Sequence, residues 1–158
     1  MVSVLSLGSN LGDRRAHLRA GLDVISSFVP VVAVSPLYET APVGVTEQPA
    51  FLNCVAVVGT DDPEVAWSAA RAAEETRGRL RSRRWGPRSL DVDVVAVDAV
   101  VSDDPRLTLP HPRAHERAFV LRPWLDVDRN AVVAGRGPVW RLLRDLPAAG
   151  LTAVGWAA

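Results

Sequence analysis

Apolar and polar positions alternate along this chain, switch to a helical period, and then alternate again. Val2 to Leu7 sets apolar residues against serines with period two, the pattern of a first strand with one buried face. Gly8-Ser9-Asn10-Leu11-Gly12-Asp13 reads as a turn-rich loop, and a helix with Leu18, Leu22 and Ile25 on one side follows it. Val31 to Val34 continues through Ser35-Pro36-Leu37-Tyr38 as a second strand, whose proline predicts a sheet edge or a bulge. Thr40 to Pro49 is a long loop between strands, of a length that is usually functional. Phe51 to Val58 is a third strand, with Phe51, Asn53 and Val55 on one face and Leu52, Cys54 and Ala56 on the other. Asp61-Asp62-Pro63-Glu64 starts a helix with an aspartate cap, a proline at the first helical position and an acid in the first turn. That helix is expected to reach about Gly78, with Val65, Ala69 and Ala73 inward. A further strand begins at Leu90 and ends near Asp98, and Ala99-Val100-Val101 suggests another short one. A glycine-rich turn at Gly135-Arg136-Gly137 and an amphipathic helix around Val139 to Leu146 complete the pattern.

The strand after Leu90 carries the chemistry. Asp91 and Asp93 share one of its faces, while Val92, Val94 and Ala96 share the other and require a core. The two acids have α-carbons about 6.5–7 Å apart, close enough to converge on hard cations that keep positions open for phosphate oxygens. Two ordinary acids on a solvated strand would look the same, so the pair alone leaves both readings open. Just upstream, Arg77, Arg79, Arg81, Arg83, Arg84 and Arg88 crowd around Trp85 in a segment that delivers directly into the acids. Arginines beside paired acids suit clamping of a metal-bound polyphosphate better than a solvated basic run.

Composition narrows the choice. All 18 basic residues are arginine, which excludes a P-loop lysine and Schiff-base chemistry and suits bidentate phosphate recognition. A formal net charge of zero argues against a dedicated nucleic-acid binder, and no apolar run approaches membrane-spanning length. One cysteine excludes a disulfide framework, and Cys54 falls on the small apolar face, where it packs as an inert thiol. A cytoplasmic chain forming one domain over residues 1–158 is expected. Phe51 and Asn53 on an open sheet face would suit a flat heterocycle, one by stacking and the other by paired donor and acceptor. Arg106 to Phe119 adds arginines, two histidines and an aromatic. His111 reads as a phosphate or ribose donor and His115 as a surface residue.

Five ordered blocks then resemble one family. Gly8-Ser9-Asn10, Thr40-Ala41-Pro42-Val43-Gly44, Phe51-Leu52-Asn53, Arg84 through Asp93, and Arg106-Leu107-Thr108-Leu109-Pro110-His111-Pro112 are similar to the 6-hydroxymethyl-7,8-dihydropterin pyrophosphokinases of folate biosynthesis. The resemblance implies an α+β fold: a ferredoxin-like βαββαβ core with an antiparallel sheet and helices packed on it. It implies transfer of pyrophosphate from ATP to the pterin hydroxymethyl oxygen, with release of AMP and participation of two magnesium ions. Asp91 and Asp93 would hold the metals, with Arg79, Arg81 and Arg88 completing the catalytic set. Arg81, Arg84, Trp85, Arg88, Arg106, Thr108, His111 and the backbone near Val94 would bind ATP. Phe51 and Phe119 would sandwich the pterin, Thr40, Val43 and Asn53 would read its edge, and Trp85 would close over it. Arg117 would assist from the other side. ATP and the pterin would be the partners of a monomer, with no nucleic acid and no membrane.

Two other readings fit worse. A polymerase-beta-type nucleotidyltransferase needs its Gly-Ser roughly ten residues before the acids, and Gly8-Ser9 lies far upstream of Asp91. An RNA-recognition module needs an aromatic-rich motif on a central strand, where this chain offers Phe51 alone.

Overall fold

A computed structural model of the chain describes residues 1–40, 49–76, 89–147 and 150–157. The elements follow the order β1 (Ser3–Ser9), α1 (Arg14–Ser26), β2 (Val31–Val34), β3 (Leu37–Thr40), β4 (Phe51–Val58), α2 (Pro63–Thr76) and β5 (Asp91–Val97). Then come α3 (Ala118–Val127), the short pair β6 (Val132–Val133) and β7 (Gly137–Pro138), α4 (Val139–Asp145) and β8 (Leu151–Val154). One antiparallel sheet runs β5-β1-β4-β3-β8, with β2 also paired to β4. Strand β1 therefore lies between β4 and β5, the split arrangement of a ferredoxin-like βαββαβ core, as expected.

Local chemistry explains the element boundaries. Asp13 caps α1 by accepting from the Ala16 N–H at 3.1 Å, and Asp62 accepts from the Glu64 N–H at 2.9 Å to open α2. Pro36 cannot donate to a ladder, so the second strand breaks into β2 and β3. Ser35 bridges the break: its N–H donates to the Val55 carbonyl and its Oγ accepts from the Val55 N–H, both at 2.9 Å.

Alternation divides the core between two faces of the sheet. Leu5, Leu7, Leu52, Cys54, Ala56, Val92 and Val94 point to α1 and α2, where they meet Leu18, Ile25, Ala66, Ala69, Ala70 and Ala73. Each fully buried leucine there contributes about 1.5–3 kcal/mol. Val4, Val55 and Val95 point the other way, onto Val120, Leu121 and Trp124 of α3 and Val139 of α4.

Three expectations need correction. Strand β1 continues through Gly8 and Ser9, because both residues keep their ladder to Asn53 and Leu52 of β4. Ala96 does not share a face with Val92 and Val94. The β1–β5 register jumps from Val4↔Ala96 to Leu5↔Val94, so Val95 is an extra residue and Ala96 joins the α3 side of the core. Ala99-Val100-Val101 forms no strand; Val101 is 73% exposed, and only an isolated bridge joins Ser102 to Leu109.

Candidate active site

The site lies on the α3 face of the sheet, at the end where Asp91 opens β5. Gly8 of β1 pairs with Asn53 of β4 on one side and with Asp91 of β5 on the other. One row thus reads Asn53–Gly8–Asp91 across three strands, and the next reads Val55–Ser6–Asp93. Asp91 and Asp93 share this face as expected, with Val92 and Val94 buried behind them.

Asp93 faces one cation and one imidazole. Its Oδ2 lies 3.7 Å from Arg117 Nη1 and 4.0 Å from His111 Nε2. The His111 N–H donates to the Val95 carbonyl at 2.8 Å, which ties this segment to the bulge in β5. His111 Nδ1 accepts from the Arg113 N–H at 3.1 Å, so the neutral ring carries its proton on Nε2, facing Asp93. Burial first, then the Arg117 charge, lowers the imidazole to about 4 against the opposing pull of Asp91. His111 is therefore a neutral hydrogen-bond donor at physiological pH.

Next to the acids lies a polar floor. Asn53 is 4% exposed, and its Nδ2 donates to Thr40 Oγ1 at 3.1 Å. Phe51, two residues earlier on the same face, pairs with Thr40 across the ladder. Asn10 is buried and its Nδ2 donates to the Pro49 carbonyl, so the Gly8-Ser9-Asn10 stretch supports the entry to β4. Helix α3 covers this face and carries Phe119, with the Arg117 guanidinium 5.6 Å from its ring centroid. Tyr38 of β3 donates its hydroxyl to Asp126, which Arg122 also grips at 2.6 Å, anchoring α3 to the sheet.

Arg106 packs against the N-terminal half of α2. Arg106 pairs with Glu64 and lies 5.1 Å over the Trp67 ring, while Thr108 Oγ1 donates to the Asp104 carbonyl at 3.0 Å. The Val94 side chain is core, leaving only its backbone for a ligand. His115 is half-buried against Glu116 at 3.5 Å and is not a free surface residue. Val43, Arg79, Arg81, Arg84, Trp85 and Arg88 fall outside the described residues.

Sequence reasoning missed a buried acid. Glu74 on α2 is 3% exposed; it pairs with Arg71 at 3.0 Å and accepts from the Val92 N–H at 2.9 Å. Burial pushes its carboxyl up to about 7, opposed by Val92 and Arg71 and aided by neighbouring Asp91. The signal available in the sequence was an acid inside an otherwise alanine-rich inward face.

The magnesium expectation can be tested against these donors. Among the described residues no group of three or more His, Cys, Asp or Glu side chains forms a metal cluster. Two carboxylates on one strand face match a hard cation that takes its remaining ligands from phosphate oxygens and water. The donor set fits.

Paired acids beside a floor of Phe51 and Asn53 lie on one face of a ferredoxin-like sheet, and comparison with known proteins gives the family. Residues 4–129 match the family described as 7,8-dihydro-6-hydroxymethylpterin-pyrophosphokinase (HPPK). A 2-amino-4-hydroxy-6-hydroxymethyldihydropteridine pyrophosphokinase from Mycobacterium leprae is 49% identical over 159 residues, covering 90% of this chain and 82% of the relative. The protein of the same name from Bacillus subtilis is 36% identical over 129 residues, covering 80% and 77%. The wild-type HPPK-DHPS structure from Plasmodium falciparum superposes with a TM-score of 0.65 at 14% identity, which supports the fold alone. That match covers 90% of this chain and 43% of the longer one. The chain belongs to the HPPK family and is a pyrophosphokinase. Among the described residues no helix is long and apolar enough to cross a membrane.

Proposed function

We propose that the chain transfers pyrophosphate from ATP to the hydroxymethyl oxygen of 6-hydroxymethyl-7,8-dihydropterin, giving AMP and the pterin diphosphate by in-line attack on the β-phosphorus. The observation that carries this reading is the row Asn53–Gly8–Asp91. With strands spaced about 4.8 Å, one intervening strand sets Asn53 and Asp91 about 10 Å apart. That span suits a bicyclic pterin read at one edge by Asn53 and Thr40, with its hydroxymethyl arm reaching toward the acids.

Phe51 and Phe119 would hold the ring faces, fixing the arm in line with the phosphate chain. Asp91 and Asp93 would hold two magnesium ions, which would supply neutralisation of phosphate charge and polarisation of the phosphorus under attack. Arg117 lies on Asp93 and would share charge with the transferring group, while neutral His111 would donate Nε2–H to a phosphate oxygen. Arg106 would contact ATP further along α2, with Thr108 and the backbone near Val94. Arg106 pairs with Glu64 and Val92 bonds to Glu74, at opposite ends of one α2 stripe. Ten helical residues span about 15 Å, on the scale of an extended nucleotide. From the family resemblance, Arg79, Arg81, Arg84, Trp85 and Arg88 would clamp the phosphates and Val43 would complete the pterin edge. We read residues 1–158 as one domain that acts as a monomer in the cytoplasm.

A product assay with ATP, magnesium and the pterin, resolving adenine nucleotides by chromatography, tests the reading. AMP that appears only with the pterin is the expected result. ADP would make the chain a simple kinase, free pyrophosphate a nucleotidyltransferase, and no turnover a binding protein.

A further inference from the structure

Among the described residues strand β5 ends the sheet, and one of its edges has no neighbouring strand. An open edge leaves N–H and C=O groups without ladder partners and lets the strand twist. At Val92, between the two acids, side chains take that role. The Val92 N–H donates to Glu74 Oε2 at 2.9 Å, and the Val92 carbonyl accepts from Arg71 Nη2. Glu74 and Arg71 also join to each other through Oε1 and Nη1 at 3.0 Å, and Arg71 lies 5.9 Å over the Trp67 ring. One i,i+3 pair on a helix thus closes both hydrogen bonds of a single residue, as a neighbouring strand would.

We propose that Arg71 and Glu74 are positioning residues for the acids: by clasping both backbone groups of Val92 they fix the spacing and aim of Asp91 and Asp93. This rests on the reading that those carboxylates hold magnesium. The pair acts through Val92 and the acids beside it. It belongs to the outer shell that orients metal-binding carboxylates, and its loss weakens metal use while leaving the pterin floor on β4 and α3 intact.

The test uses the full chain with Glu74→Ala, Glu74→Gln and Arg71→Met, the last at a residue whose side chain is one-third exposed, so that it folds if Glu74→Ala does not. Amide hydrogen exchange of the metal-free protein reads the clasp, and the magnesium dependence of turnover reads its consequence. Val92 exchange should accelerate in Glu74→Ala and Arg71→Met, with the rest of the sheet unchanged. Half-saturating magnesium should rise about tenfold or more in Glu74→Ala, while the pterin KM stays within about twofold. Glu74→Gln keeps an acceptor for the Val92 N–H and should recover most of the loss. Unchanged Val92 exchange or unchanged magnesium dependence in folded Arg71→Met overturns the clasp, as does loss spread evenly over the sheet and both substrates. Full activity of Asp93→Asn would instead overturn the metal-site reading beneath it.

Discussion

The Asn53 amide lies directly over the α-carbon of Gly8: a β-carbon at position 8 would sit 2.7 Å from Asn53 Oδ1 and 3.6 Å from the Phe51 ring. Glycine here is a requirement of space, since the central strand must let a side chain from its neighbour cross it. Gly8→Ala should push the amide off Thr40 and spoil the pterin edge without touching the acids. Losing a hydrogen-bonded contact in such a site costs about 1–3 kcal/mol, so the pterin KM should rise roughly tenfold or more. The ATP KM should barely move. Steady-state kinetics with each substrate varied separately checks this, and equal changes in both would count against the pterin role of Asn53.

Asp93→Ala should abolish magnesium-dependent turnover yet cost little stability. Its partners Arg117 and His111 stand 3.7 and 4.0 Å away on a partly exposed face, and no core packing depends on it. Denaturant melts should change by no more than about 1–2 kcal/mol. A fully active variant would remove Asp93 from the metal site.

What the sequence could and could not disclose follows from how far each signal reaches. The alternation in β4 assigned Phe51, Asn53 and Val55 to one face and Cys54 to the other, because strand period is local. The same rule failed at Ala96. A bulge at Val95 depends on the β1 partner, and nothing in Val94-Val95-Ala96 marks it. Gly8 looked like a turn because glycine usually means one; its role depends on Asn53, 45 positions away in the chain. Glu74 fell on the inward, alanine-rich side of α2, but only the packing of α2 beside an edge strand brings it and Arg71 onto Val92.

His111 should remain neutral well below neutral pH. Its folded value is about 4 against an ordinary 6.5, so between those limits the unfolded chain binds more protons than the folded one. The contribution to stability therefore rises with pH through this window and is lost as the solution is acidified. Nitrogen chemical shifts of the ring in the metal-free protein should report the Nε2–H tautomer unchanged down to about pH 5. His111→Gln should flatten the stability profile between pH 4 and 6.5. A ring that titrates near 6.5 would place it in open solvent.

Cys54 gives a probe of the whole sheet. It sits on β4 back to back with the substrate face, fully buried, and burial pushes its thiol up to about 12. The thiolate is the reactive species, so a native thiol at this position should resist aromatic disulfide reagents and react only as the sheet opens. Its modification rate in denaturant-free buffer should therefore follow the unfolding equilibrium and fall when substrates bind. Cys54→Ser should cost about 1–3 kcal/mol, because it buries a hydroxyl in an apolar cluster, whereas Cys54→Ala should cost less. Both variants should keep their KM values, since no atom of this side chain reaches the site face. Rapid native labelling would mean that β4 opens locally, and the floor formed by Phe51 and Asn53 would then be only as rigid as that opening allows.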